Sequence, residues 1–369
     1  MEEIMSPERL RASLAIKDLT NPKNGIHAIN IAVKKIEDGL RKSYPESTIE
    51  KIYSKPEVSI KENYDDLLFP IDNAGRSSRY TRYITKETVL RTHTSSAAPN
   101  WLFQKSCQGN VIDSIVILPG MCYRRDVINK THCGEPHQMD VWRISYKHLT
   151  RQDLIELIET ILNSIIPGYK YRANEVNHPY TINGLEVEID VDGNWLEVLE
   201  CGEISPDILR NVNLDPKKYS GLALGMGLDR IVMIAKKIDD IRILRSNDSR
   251  IKSQMTNLDK YIKVSDQPAT KRVLSYSTSI EKSEEDVCEE IRVQLGLNAS
   301  FIEKIEYLEI PYEQLTESAK EKLGIDANQK NVVITLTFRS LENSLPRKTV
   351  NEWIALLYPK LNKGKKGYY

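Results

Sequence analysis

The sequence predicts an α+β protein built in two successive parts, and three observations carry that prediction. Residues 150–166 (TRQDLIELIETILNSII) make an amphipathic helix, with Thr150 as N-cap, Asp153 three residues on and Pro167-Gly168 as the stop. Residues 185–191 alternate apolar and polar, turn at Asp192-Gly193-Asn194 and resume over 195–199, which is a β-hairpin. Residues 245–270 turn polar, and beyond them the pattern restarts.

Taken in order, residues 1–24 read as a short helical lead-in that ends in the turn Thr20-Asn21-Pro22-Lys23-Asn24-Gly25. Ile29, Ile31, Val33, Ile36 and Leu40 allow a helix over 26–44. Residues 64–101 mix short apolar runs with Gly, Pro and Arg, as an irregular ligand-facing region does. Residues 113–118 (DSIVIL) predict a buried strand stopped by Pro119-Gly120. Residues 220–226 form a glycine-punctuated strand leading into a helix over 228–236. The second part reads strand (272–280), helix (283–295), strand (302–310), strand (331–338), helix (347–358), an order that suits a split-βαβ, ferredoxin-like domain. The predicted domains are 1–250, a linker 251–270, and 271–369.

Composition narrows the function classes. The 369 residues are 40% apolar and 28% charged, with 52 basic against 52 acidic side chains, which is an ordinary globular balance. No apolar run reaches the ~18–20 residues of a membrane span, and the first residues lack the apolar core of a secretory signal. Five cysteines without a CxxC pair point to a reducing compartment, taken here as the cytoplasm. Zero net charge excludes a uniformly basic surface. It leaves room for a local one: within 345–369, Arg347, Lys348, Lys360, Lys363, Lys365 and Lys366 face only Glu352, a credible strip for a nucleic-acid backbone.

Four segments could carry chemistry. Tyr123-Arg124-Arg125-Asp126 with His132, His137, Gln138 and Asp140 would bring arginines to phosphate oxygens, or form a charged surface loop. Gly221-Leu-Ala-Leu-Gly225-Met-Gly227-Leu-Asp229-Arg230 lets backbone approach a flat ligand, or packs a strand tightly on a helix; it is neither a dinucleotide fingerprint nor a P-loop. In Trp195-Leu-Glu197-Val-Leu-Glu200, alternation puts Glu197 on the face of Trp195 and Leu199, inward among apolar neighbours, where a metal ion or a salt bridge would compensate it. Leu90-Arg91-Thr92-His93-Thr94-Ser95 suits recognition of an ammonium or carboxylate, or simple turn chemistry.

The set resembles the catalytic domain of phenylalanine–tRNA ligases, class II aminoacyl-tRNA synthetases, from about residue 60 to 250. Asn63-Tyr64-Asp65, Asp215-Pro-Xaa-Lys-Tyr-Ser220 and Ile238-Asp-Asp-Ile-Arg242 extend the likeness, and 271–360 is similar to the ferredoxin-fold anticodon-binding domain of the organelle-type single chains. The resemblance implies a six- or seven-stranded antiparallel sheet flanked by helices, and ATP with Mg²⁺. It implies that Arg124 meets the α-phosphate, Arg230 the far side of ATP, Asp126 the adenine amine and His132 a phosphate-side loop. Glu197 would hold Mg²⁺; His93, Ser95, Gln138 and Asp140 would hold the amino acid's ammonium and carboxylate; Ala223 would floor its side-chain pocket. An amino acid and tRNA would be the partners, with Arg347, Lys348, Lys360 and Lys363 toward the tRNA.

The sequence departs from that pattern on the amino-acid side. The usual Phe-Pro-Phe-Thr-Glu-Pro-Ser is His178-Pro179-Tyr180-Thr181-Ile182-Asn183-Gly184 here, and Asp140 stands where Glu is usual. Phenylalanine and a more polar amino acid both fit those changes, the second in a specialised paralogue with or without a tRNA acceptor. A non-catalytic tRNA- or amino-acid-binding regulator is the remaining reading. The dimer-interface motif is poorly matched around Asp72-Asn73-Ala74-Gly75-Arg76, so monomer and homodimer both stay open.

Overall fold

The computed structural model of the chain describes residues 3–109, 112–264 and 266–364. It divides into two compact units, the first from 1–124, 135–238 and 253–261, the second from 125–134, 239–252 and 262–369.

The first unit is built on seven strands: β1 (Thr48–Lys51), β4 (Asp113–Met121), β5 (His137–Ser145), β6 (Tyr171–Glu175), β7 (Thr181–Val191), β8 (Asn194–Ile204) and β9 (Ser220–Gly227), with β2 (Glu57–Ser59) and β3 (Thr88–Leu90) as a separate pair. The spatial order is β1-β4-β5-β9-β8-β7-β6. Every pairing is antiparallel except β1 with β4, which is parallel, so the sheet is mixed at one edge rather than wholly antiparallel. The helices are α1 (Pro7–Leu14), α2 (Ala28–Ser43), α3 (Ile60–Asn63), α4 (Ala98–Gln108), α5 (Arg151–Ile165), α6 (Pro206–Asn211) and α7 (Leu228–Lys236).

Local chemistry explains the best-read elements. In α5, Thr150 accepts from the Asp153 N–H while Asp153 accepts from the Thr150 N–H, a closed capping box. Its stripe Leu154, Leu157, Ile158, Ile161, Leu162 and Ile165 is buried, each side chain worth up to about 1.5–3 kcal/mol. The β7–β8 turn sets Asp192 at φ 53° and Gly193 at φ 87°, the left-handed pair that a two-residue hairpin needs.

Pro119-Gly120 does not stop β4, which continues to Met121. β1 pairs with β4 only as far as Ile117, so Pro119 lies on a stretch with one open side, where a missing N–H is tolerated. Gly120 is required by its neighbour: a Cβ there would come within 1.9 Å of Nη2 of Arg91.

The second unit holds β10 (Thr270–Ser279), β11 (Ile302–Ile310) and β12 (Gln329–Phe338) in the antiparallel order β10-β12-β11. Its helices are α8 (Ser249–Lys252), α9 (Glu284–Leu295), α10 (Glu317–Leu323) and α11 (Arg347–Leu361). α9 and α11 bury Val287, Ile291, Trp353, Ile354 and Leu357 against the sheet residues Leu274, Tyr276, Ile334 and Leu336. α10 is an element the sequence pattern did not show: Leu323 is its only buried residue, too little for a stripe.

Candidate active site

The site residues of the first unit stand on one face of the large sheet because the register aligns them. Glu186 (β7), Glu200 (β8), Gly225 (β9) and Asp140 (β5) lie in one row across four strands. Gly202, Ala223 and Trp142 form the next row. Gly225 faces the Asp140 carboxylate, with room for a Cβ at an ordinary 3.5 Å contact.

Asp140 is buried and held by three hydrogen bonds. It accepts from Thr94 Oγ1 at 2.6 Å, Ser95 Oγ at 2.7 Å and Trp142 Nε1 at 3.1 Å. Burial raises its pKa, against these three hydrogen bonds, which lower it. Three donors leave a carboxylate one further acceptor position. His93 faces the opposite situation: both ring nitrogens are sealed from solvent with no hydrogen-bond partner. Burial first, then the nearby Arg124 charge, push its pKa down to about 3, so the imidazole is neutral.

An aromatic group surrounds these polar atoms. His93 stacks on Phe69 with centroids 5.5 Å apart, and Tyr64 meets it edge-on at 6.1 Å. Tyr180 stacks on Trp142 at 5.5 Å and 18°, beside Phe69 at 6.2 Å. Burial raises the Tyr180 pKa. His178, 5.9 Å from Tyr180, pairs through Nε2 with Glu200 Oε2 at 2.9 Å, and that hydrogen bond raises its pKa. Ala223 is buried opposite Trp142.

Glu197 does not share the inward register expected of it. The β7–β8 pairing shifts at Val187/Glu188, where Leu199 opposes Val187 and Glu197 opposes Glu188. This bulge leaves Val198 as the extra residue and re-aims its neighbours. Glu197 is thus part-exposed, at 43% for its side chain, and accepts from Arg230 Nη1 at 3.1 Å. Arg230 also donates to the Glu197 carbonyl at 3.0 Å from the first turn of α7. Burial, then Glu197, Glu200 and Glu188, raise the Glu186 pKa, so these carboxylates feel one another.

Arg124 donates from Nε to the Thr92 carbonyl at 2.7 Å, with its guanidinium 5.8 Å from the Tyr80 ring centre. Arg82 braces it, donating to the Arg124 carbonyl at 3.0 Å and pairing with Glu135. Gln138 accepts from the Cys122 thiol at 3.3 Å. His137 is buried; its Nε2 accepts from the Leu19 N–H, so Nδ1 carries the hydrogen and donates to Asp229 at 2.9 Å. That bond ties β5 to the start of α7, one residue before Arg230.

Asp126 and His132 belong to the second unit. Asp126 accepts from the Val127 N–H at 2.7 Å, and His132 Nδ1 meets Asn129 Oδ1 at 2.9 Å. Arg347, Lys348 and Lys360 are exposed on α11 and Lys363 just beyond it. Arg347 and Lys348 open the helix and Lys360 closes it, roughly 18 Å apart at ~1.5 Å per residue, so α11 presents two basic ends rather than one strip. Lys365 and Lys366 lie outside the described residues.

Sequence reasoning missed Trp142 and Glu186, and it gave no role to Thr94 and Asp229 within the segments it singled out. Period-two alternation from Gln138 through Asp140 would have reached Trp142; no local signal marks Glu186.

The donor set suits Mg²⁺ with a nucleotide. Glu197, Glu200 and Glu186 offer hard oxygens, and Mg²⁺ takes one or two carboxylates together with phosphate oxygens. Among the described residues no group of three or more His, Cys, Asp or Glu is gathered closely enough to hold a metal ion.

Sheet, strand-end arginines and acidic row together define a class II synthetase core. The family model for the tRNA synthetases class II core domain (F) matches residues 15–255. The mitochondrial phenylalanine–tRNA ligase of Dictyostelium discoideum is 32% identical over 272 residues, covering 65% of this chain and 58% of that protein. The chloroplastic/mitochondrial phenylalanine–tRNA ligase of Arabidopsis thaliana is 30% identical over 341 residues, 88% of this chain and 74% of that one. The alpha subunit from Thermosynechococcus vestitus is 30% identical, covering 68% and 74%. The chain belongs to the class II tRNA synthetases, in the family of the phenylalanine–tRNA ligases. It spans little more than half the length of the Dictyostelium relative.

Proposed function

We propose that the chain activates an amino acid with ATP and transfers it to tRNA, as a phenylalanine–tRNA ligase. The observation that carries this is the pairing of Arg230 with Glu197 beside the row Glu186–Glu200–Gly225–Asp140. Activation is an in-line attack by the amino acid's carboxylate on the α-phosphorus of ATP; the bond to pyrophosphate breaks and an aminoacyl adenylate forms. The tRNA hydroxyl then attacks the acyl carbon and AMP leaves. Neither step needs a protein nucleophile; both need two anions held together and charge neutralised.

Arg124 takes the α-phosphate and Arg230 the far side of ATP. Glu197 and Glu200 would hold Mg²⁺, which would supply further neutralisation of phosphate charge. Asp140 and the neutral His93 accept from the substrate ammonium, and Ser95 and Gln138 complete that shell. A protonated imidazole would repel the ammonium, so the low His93 pKa supports the role. The stretches 1–250, 251–270 and 271–369 serve as catalytic domain, linker and ferredoxin-like tRNA-binding domain, with Arg347, Lys348, Lys360 and Lys363 toward the tRNA.

A second reading, a paralogue for a more polar amino acid, rests on His178 and Tyr180, which stand where the resemblance has two phenylalanines; they lie 5.9 Å apart and His178 pairs with Glu200. ATP–pyrophosphate exchange with each of the twenty amino acids separates the readings. Phenylalanine-dependent exchange supports the ligase, exchange with another amino acid alone supports the paralogue, and exchange with none refutes amino-acid activation.

No described helix is long and apolar enough to cross a membrane. All five cysteines are free thiols, as a reducing compartment keeps them. The relatives' names favour an organelle over the cytoplasm expected from composition, and fractionation of tagged protein decides between them.

A further inference from the structure

Arg91 belongs to a segment singled out in the sequence, yet it has no part in the site above. It is 2% exposed. Nε donates to the Met121 carbonyl at 2.9 Å, and Nη1 donates to Ser54 Oγ at 2.6 Å and to the Ser54 carbonyl at 3.2 Å. All these acceptors are neutral, and no described carboxylate pairs with the guanidinium. A buried cation ordinarily has an acid against it, because desolvating an unpaired charge is costly. Nη2 lies over Gly120, where a Cβ would reach to 1.9 Å; it has no acceptor, and it is not among the polar atoms sealed from solvent.

Arg91 lines a cavity of about 300 Å³ whose wall includes Leu14, Ala15, Ile16, Lys17, Asp18, Asn24, Ser54, Pro56, Met121 and Tyr123. Its one acid, Asp18, is occupied: Oδ1 accepts from the Thr20 N–H and hydroxyl, and Oδ2 from the Met121 N–H at 3.3 Å. Lys17 is exposed and adds a second positive charge. The wall therefore carries two cations against one already engaged anion, beside apolar surface from Leu14, Ile16, Pro56 and Met121. None of these residues is one placed in the candidate active site.

We propose that this cavity binds a small organic carboxylate with an apolar body. The carboxylate meets the uncommitted Nη2 donors of Arg91, and the body packs on the Ile16–Pro56–Met121 side. A volume near 300 Å³ is at the lower end of small-molecule sites, which suits an acid of roughly ten heavy atoms. Arginine's planar donors match a carboxylate better than they match a halide or a hydroxyl.

The test is calorimetric titration of the full chain with benzoate, and with benzyl alcohol as the uncharged body of the same size. The fold-safe variant is Ala15→Phe, since Ala15 is exposed, helical at φ −75° and on the cavity wall; its ring fills the space and leaves Arg91 untouched. Benzoate binding to the wild type with Kd at or below about 10 mM, weakened at least about tenfold by Ala15→Phe and absent for benzyl alcohol, establishes the site. Phenyl phosphate binding in place of benzoate overturns the carboxylate assignment. Equal benzoate affinity in wild type and Ala15→Phe, or no binding by the wild type, overturns the site.

Discussion

Replacing Arg230 with alanine separates catalysis from stability, because its partner is not buried. The Arg230 side chain is 20% exposed and that of Glu197 43%. Losing this part-exposed ion pair together with the hydrogen bond to the Glu197 carbonyl costs about 1 kcal/mol, and Glu197 left alone can be hydrated where it stands. The fold should therefore lose little. If Arg230 neutralises phosphate charge in the transition state, removing one such donor costs about 2.7–4 kcal/mol, or 10²–10³ in kcat. Thermal denaturation of wild type and Arg230→Ala should overlap within about 2–4 °C, while ATP–pyrophosphate exchange falls by two to three decades. Exchange within threefold of wild type, in a protein of unchanged melting temperature, refutes the role given to Arg230. Arg82 is the contrast: it is 5% exposed and pairs with Glu135, so Arg82→Ala should lower stability and exchange together.

Three other outcomes follow from the same geometry. Trp142→Leu removes the ring stacked on Tyr180 and the Nε1 donor to Asp140; it should cost about 2–4 kcal/mol in urea unfolding, and a loss under about 1 kcal/mol would refute that packing. For His178, the raised folded pKa means that the stabilisation from Glu200 is complete below the ordinary histidine pKa and disappears as pH rises through the folded value. The melting-temperature gap between wild type and Glu200→Gln should therefore be widest near pH 6 and close toward pH 9, and a pH-independent gap would refute it. Lys236 donates from Nζ to the carbonyls of Gln254, Asn257 and Asp259, so Lys236→Met should cost about 2–3 kcal/mol and accelerate amide hydrogen exchange at 253–261 first.

What the sequence showed and what it hid divide along a physical line. α5 and the β7–β8 hairpin were legible because their signals are local: a capping box, a stripe of period 3.6, an Asp-Gly turn. The end of β4 was not, because Pro119-Gly120 breaks a strand only where both sides are paired, and β1 stops at its partner Ile117. Glu197 fails the same way. Strict alternation assumes one residue opposite one, and the bulge at Val198 breaks that count from outside the local pattern.

The site shows the same division at a larger scale. The arginines and carboxylates were legible from motif order, since their residue types are few and their spacing is fixed. Trp142 was passed over, although it packs flat on Tyr180 and donates to Asp140. Alternation along β5 reaches it, but its place beside the site follows from a register across three strands, Gly202 to Ala223 to Trp142, closed by Tyr180 arriving just before β7. These changes are also mutually consistent: Trp142 Nε1 reaches Asp140, and Tyr180 lies flat on Trp142. His178 turns to Glu200 rather than to a substrate ring. Both ring nitrogens of His93 and the Thr181 hydroxyl are the buried polar atoms left without a partner around this unit. Trp142, Tyr180 and Asp140 form one packed unit, so single substitutions within it should be strongly non-additive. Tyr180→Phe and Trp142→Leu combined should differ from the sum of their separate effects on exchange by more than about 0.5 kcal/mol; additivity within that margin would mean the two rings act separately.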